Sequence, residues 1–261
     1  MTWRAVPRIG AALTIGLQIC WPLASGDIRA GLTAITVVLF AATSVSHAWI
    51  NRGTRWALQF FVTTVVFAIV VEAIGVWSGL PFGHYTYGSS LGPQLLGVPL
   101  LIPLAWAMAA YPALLLARRL GTHPVSVVVI GAFALTSWDL FLDPQMVSQG
   151  YWTWSNVGLT LPGVQLIPAT NFLGWFVASL ILMLLLAPLP ATRAAEGVPA
   201  ILWAWTWVGG VVANACFFGR VPVALWGGLA MGLVTVPYLL ALNRDRADDG
   251  EGRPQCHEQA R

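Results

Sequence analysis

Lysine is missing altogether from this 261-residue chain, and charged side chains of any kind make up only 9% of it. A soluble domain spends about a quarter of its residues on charge, so a water-facing surface over most of the molecule is excluded. Cysteine is scarce too. Cys20 and Cys216 lie in or beside apolar runs and Cys256 in the tail, and no two have the spacing of a metal-ligand set or a redox motif; all three read as structural or incidental. The basic side chains are all arginine and give a formal charge of +3. They stand in ones and twos at the ends of apolar runs, a pattern that orients a membrane protein rather than grips nucleic acid.

What fills the chain instead is hydrocarbon: 57% of residues are hydrophobic and the mean hydropathy is +0.74. At roughly 20 apolar residues per crossing, the length accommodates about eight spans. The fold class expected is all-α, a polytopic transmembrane bundle. The runs predict helices near 6–24, 29–49, 56–78, 96–117, 124–142, 165–188, 199–218 and 221–241. Met1 to Arg8 ahead of the first run mimics a signal peptide, but no small-residue cleavage site and polar mature chain follow, so the run reads as the first helix. Residues 1–242 are thus expected to form a transmembrane catalytic domain, and 243–261 a short, polar, disordered cytoplasmic tail.

Arginine sets the orientation. Arg4 and Arg8 precede the first helix, Arg52 and Arg55 lie between the second and third, Arg118 and Arg119 between the fourth and fifth, Arg193 between the sixth and seventh, and Arg244 and Arg246 after the eighth. The alternate loops hold only Arg29 and Arg220, so the positive-inside rule places both termini in the cytoplasm. Two long connections then face outward, near 79–95 and 143–164. They are dense in Gly and Pro, which favour turns over helix, and in Trp and Tyr, which suit the headgroup level. A membrane-surface site closed by these two loops follows.

Between Asp27 and Glu196 there are three acids, Glu72, Asp139 and Asp143, each in or at the outer end of an apolar segment. A carboxylate near the bilayer centre costs roughly 2.5–3.5 kcal/mol, and such acids usually face an interior cavity. Asp139 and Asp143, four residues apart, share a helix face, with Pro144 ending regular helix soon after. Asn171, in the sixth helix and followed by Gly174 and Trp175, is placed to orient water or bond a carboxylic acid, while Gly174 permits close helix packing. His84, the one histidine on the outer side, is a candidate to assist proton transfer, to contribute to a metal site or to tune an acid; His47, His123 and His257 lie away from the acids. Tyr85, Tyr87, Trp138, Trp152, Trp154 and Trp175 surround the acids in sequence and depth. They serve either as interfacial anchors or as aromatic faces that stabilise a cation in an apolar pocket.

Protonatable acids, aromatic walls and no cluster of cations suit acid chemistry on a lipid-like alkene. Protonating a terminal trisubstituted double bond leaves a tertiary cation, which water captures. That reaction needs neither a redox cofactor nor an energy source, and no cofactor or metal is assigned to it.

Glu72-Ala-Ile-Gly-Val-Trp-Ser-Gly-Leu-Pro-Phe-Gly-His-Tyr-Thr-Tyr87, Leu91-Gly-Pro93, Gly97-Val-Pro-Leu-Leu-Ile-Pro-Leu-Ala-Trp106, Trp138-Asp-Leu-Phe-Leu-Asp-Pro144, Gly150-Tyr-Trp-Thr-Trp154 and Asn171-Phe-Leu-Gly-Trp175 together resemble the membrane carotenoid biosynthesis family. That family contains carotenoid 1,2-hydratases, among them bisanhydrobacterioruberin hydratases and gamma-carotene 1'-hydroxylases. The resemblance covers about residues 40–240; Ser78 stands where relatives are expected to carry Thr. It implies hydration of an acyclic psi-type carotenoid end to a tertiary 1-hydroxyl. The partners implied are a membrane-dissolved acyclic or monocyclic carotenoid, membrane lipids and neighbouring pathway enzymes. Asp139 or Glu72 is then the preferred general acid, with the remaining acids and Asn171 positioning water.

Three alternatives remain open on the sequence. A carotenoid cyclase would form the same cation but exclude water. An intramembrane prenyltransferase would use Asp139 and Asp143 for magnesium, although basic residues to hold a diphosphate are scarce on that side. A non-enzymatic carotenoid-binding or transport protein would use the acids in a pathway, but no inverted repeat is evident.

Overall fold

The computed structural model describes residues 3–192 and 194–251; Arg193, Cys256, His257 and the end of the polar tail lie outside the described residues. Eight helices carry the chain: α1 (Val6–Cys20), α2 (Gly26–Arg52), α3 (Thr54–Ser78), α4 (Leu101–Leu120), α5 (Pro124–Val147), α6 (Ala169–Leu186), α7 (Gly197–Val212) and α8 (Val221–Glu251). Counting the short turns that extend α1 and α7, all eight are long and apolar enough to cross a membrane. The chain is a multi-pass membrane protein of the expected class. On α3, Leu58, Val62, Val66, Val70 and Ile74 recur every four residues and all point outward, an apolar stripe turned toward lipid.

The ends of the helices differ from the hydropathy runs for local reasons. Gly53, at φ +90°, breaks α2 from α3 in a single residue, and Gly79, at φ +75°, caps α3 through its N–H to the Gly75 carbonyl. The fourth helix begins at 101 rather than 96 because Leu96 and Gly97, both at positive φ, turn the chain between β2 (Gln94–Leu95) and β3 (Val98–Pro99), the backbone geometry that a two-residue hairpin requires. The sixth begins at 169 rather than 165, since Val164–Pro168 forms β6 and pairs antiparallel with β5 (Thr160–Leu161). Pro144 does not end α5, which runs on to Val147; the Pro144 carbonyl accepts from Arg220 Nη1 at 3.1 Å and steadies that last turn. The eighth helix continues past the expected end at 241 to Glu251, into the polar segment.

The centre of the bundle is α4, most of which is buried. Ala105, Ala107, Ala109, Ala110, Ala113 and Ala117 let its neighbours approach its backbone closely. Pro112 interrupts it and leaves the carbonyl four residues back without its helical donor. Ser44 Oγ of α2 donates to that carbonyl, Met108 O, at 3.2 Å.

The two ends of the bundle are chemically different. At one, Arg52 reaches the Thr192 carbonyl (3.0 Å), Arg118 the Leu189 carbonyl (2.7 Å), and Arg119 pairs with Glu196 and Asp245. At the other, the two long loops meet. Strand β1 (Tyr85–Tyr87) pairs antiparallel with β4 (Trp152–Trp154), matching Tyr85 to Trp154 and Tyr87 to Trp152. The loops thus close one roof, as their position and composition predict. They are joined by a two-stranded ladder whose three-residue strands are too short for periodicity to reveal.

Glycine seats this roof on the bundle. A Cβ on Gly174 of α6 would lie 2.7 Å from the Pro81 carbonyl and 2.9 Å from the Phe82 ring, and one on Gly75 of α3 would lie 2.8 Å from both Phe82 and the Tyr85 hydroxyl. Gly174 therefore admits a loop, not the neighbouring helix that the sequence suggests. Gly174→Ala is expected to lift Phe82 and lower stability by about 1–3 kcal/mol, measured as earlier thermal unfolding of the purified protein in lipid.

Candidate active site

Under the roof lies a cavity of about 390 Å³. Its wall includes Glu72, Asp143 and Asn171, set among Tyr85, Tyr87, Trp106, Trp138, Trp152, Trp154 and Trp175.

Glu72, buried on α3, has both oxygens engaged. Oε2 accepts from the Tyr85 hydroxyl at 2.6 Å and the Tyr87 hydroxyl at 2.7 Å, and Oε1 accepts from Trp106 Nε1 at 2.9 Å. Side chains alternate across a strand, which sends Tyr85 and Tyr87 together toward Glu72. Burial, reinforced by Glu72, pushes both phenols well above their ordinary range, so they remain hydrogen-bond donors throughout the neutral range.

The second acidic centre joins α5 to α6. Asn171 Nδ2 donates to Asp143 Oδ2 and, at 3.2 Å, to Asp139 Oδ2, so one amide bridges two carboxyls. Asp143 Oδ1 accepts from Trp152 Nε1 at 3.0 Å, which ties the acid to β4 and orients the loop. Asp139 is fully buried behind this group; its Oδ1 has no partner and it does not border the cavity. Four residues along a helix is about 40° of rotation, enough to turn one carboxyl to the cavity and leave the other behind it.

The aromatic residues form a continuous wall. Trp175 stacks on Trp106 with ring centres 4.3 Å apart and planes within 6°, and Trp138 meets Trp175 edge-on at 5.9 Å. Tyr87 meets Trp152 edge-on at 5.7 Å, and Trp154 lies 5.8 Å from Tyr85 while donating through Nε1 to the Phe82 carbonyl.

Of the candidate site residues, Asp139 stands behind the wall and His84 is kept from the assembly altogether. His84 precedes Tyr85, so the same alternation turns it outward; it is exposed, packs over Gly79 and does not border the cavity. Trp106, by contrast, was not among the sequence candidates, although it ends one of the motifs that carry the resemblance. Among the described residues, no three His, Cys, Asp or Glu side chains form a group able to hold a metal ion.

The bisanhydrobacterioruberin hydratase of Haloarcula japonica is 33% identical over 130 residues, a match spanning 48% of this chain and 42% of that protein. No solved structure matches the chain. The family model described as "Carotenoid biosynthesis protein" matches residues 32–240, a stretch that takes in the roof, both acidic centres and the aromatic wall, and the chain belongs to that family.

Proposed function

We propose that this protein is a carotenoid hydratase that adds water across the terminal double bond of an acyclic psi-type end group. The observation that carries the reading is the convergence of two carboxyl groups, Asp143 and Glu72, on one cavity that is otherwise aromatic and aliphatic. The hydratase named for the Haloarcula relative supports the same reaction class.

In this mechanism the bridged pair of Asp139 and Asp143 holds one proton between its two carboxyls, since two like charges on a single amide in a water-poor site repel. Asp143, the member at the cavity wall, gives that proton to the less substituted carbon of the double bond. The tertiary cation that remains is stabilised by the faces of Trp106, Trp138 and Trp175 and by the negative end of Glu72. Water adds to the cation, and its surplus proton returns to a carboxylate. The cavity is sized for an end group, so the rest of the polyene lies in the membrane. Residues 1–242 act as one catalytic unit because α1 to α7 and both loops contribute to its wall. The distribution of arginine turns the loop end outward and both termini to the cytoplasm.

The test is purified protein in lipid, incubated without oxygen with an acyclic carotenoid in water labelled with heavy oxygen. Mass spectrometry is expected to find one labelled water added per reacted end. A product of unchanged mass and altered retention would replace hydration with cyclisation; unaltered substrate would remove the enzymatic reading of this cavity.

A further inference from the structure

Away from the acids, the cavity wall has a second polar patch, formed by α1 and α2. Gln18 Oε1 and Thr36 Oγ1 both belong to residues that line the cavity, both atoms are shielded from solvent, and neither has a hydrogen-bond partner. For Thr36 this departs from the habit of the chain. Thr14, Thr33, Thr43, Thr136, Thr206 and Thr235 each donate to the carbonyl four residues back, the ordinary way in which a helical threonine is satisfied. The hydroxyls of Thr64 and Ser179 are also unpartnered, but those residues do not line this cavity.

One helical turn nearer the roof, Thr33 Oγ1 is fully engaged. It accepts from Trp21 Nε1 at 2.8 Å, donates to the Arg29 carbonyl at 2.9 Å and lies 3.3 Å from the Tyr151 hydroxyl. Thr36 thus follows Thr33 by three residues on α2 and Gln18 precedes Trp21 by three, at the foot of a polar group that leads down from the loop end. A buried polar atom left unmet is costly, and a buried water is held by two to four such groups. An oxygen that only accepts and a hydroxyl that donates or accepts, both on the wall of one cavity, match both roles of a water molecule.

We infer that Gln18 and Thr36 hold the water that captures the cation. The inference rests on the hydratase reading and assigns the second reactant its place. A hydrocarbon end group offers these atoms nothing, whereas water satisfies both. Separation from the acids also has a chemical reason: water bonded directly to Asp143 would compete with the alkene for its proton. The alkene π pair forms the new C–H bond with the proton of Asp143. A lone pair of the held water then forms the C–O bond at the tertiary carbon. The oxonium gives its extra proton to a cavity carboxylate, so the sum is one H and one OH added across the double bond.

The test uses the full chain in lipid with an acyclic carotenoid in deuterated water, comparing wild type with Thr36→Val, Gln18→Met and Thr36→Ser. A cation that lacks its water collapses by losing a proton, which leaves deuterium in recovered alkene. The ratio of deuterated alkene to alcohol is expected to rise about tenfold in Thr36→Val and in Gln18→Met, and Thr36→Ser is expected to bring it back toward wild type. An unchanged ratio, or alkene exchange and alcohol falling together with the amount of folded protein, overturns the assignment. A wild type that makes no alcohol overturns hydration itself, and this water site with it.

Discussion

Asp143→Asn is expected to abolish water addition while leaving a folded, membrane-embedded protein. The substitution keeps the size of the side chain and removes its proton chemistry, and loss of a general acid typically costs about 10²–10⁴ in rate. Its structural cost is separate and smaller. Trp152 and Asn171 donate to different oxygens of Asp143, and an asparagine keeps only one acceptor oxygen, so one buried donor is left over at about 1–3 kcal/mol. Thermal unfolding in lipid measures that cost, and mass spectrometry of alcohol formed by the remaining folded protein measures the chemistry. Asp139→Asn is the informative comparison. Asp139 lies behind the cavity wall, so its amide variant is expected to slow turnover through the shared proton yet retain measurable activity. Equal loss in both variants would mean that the two carboxyls act as an inseparable unit.

Glu72→Gln is expected to do the reverse in balance, with as much damage to structure as to rate. Three donors converge on this carboxyl, two phenols on one oxygen and an indole on the other. A carboxylate is an acceptor at both oxygens, whereas glutamine presents an acceptor at one and a donor at the other, so at least one of Tyr85, Tyr87 and Trp106 meets an N–H. Stability should fall by about 2–4 kcal/mol, since an unmet buried donor costs about 1–3 kcal/mol and the roof strand loses its anchor. Tyr87→Phe removes one donor without reversing any, and should cost only about 1 kcal/mol. Unfolding midpoints of the two variants in the same lipid decide the point. Similar midpoints would mean that Glu72 is not the seat of the roof.

Much of this was legible because charge is so rare in the chain. With three acids between Asp27 and Glu196, their depth in the apolar runs already brought Glu72, Asp139 and Asp143 to one level, with Asn171 near the same face, and the aromatic residues of the two loops came with them. Other features were hidden for definable reasons. The hairpin strands are two to five residues long, too short to show alternation against the hydrophobic background. Pro144 was expected to end α5 soon after it; near a helix end the missing N–H costs only one bond to the turn before, and α5 runs three residues on to Val147. A spacing of four placed Asp139 and Asp143 on one face without saying which of them would meet the cavity; that depends on where α6 brings Asn171. Trp106 was one more apolar residue in an apolar run until Glu72 stood opposite it. Gln18 and Thr36 were two polar residues among several in the first two helices, and only the cavity they share sets them apart.

The donors to Glu72 all come from residues 85–106, whereas the amide that bridges the other acids comes from Asn171 on the far side of α5. Helices enter a bilayer in the order of synthesis, so the first carboxyl finds its partners once α4 has been made. The second acidic centre waits for α6, and the ladder between β1 and β4 waits for the loop that precedes it. Biogenesis therefore has a natural midpoint: a half-built bundle already partners its earliest buried carboxyl, while the pair of Asp139 and Asp143, the proton source in the proposed mechanism, gains its bridging amide only with the later insertions.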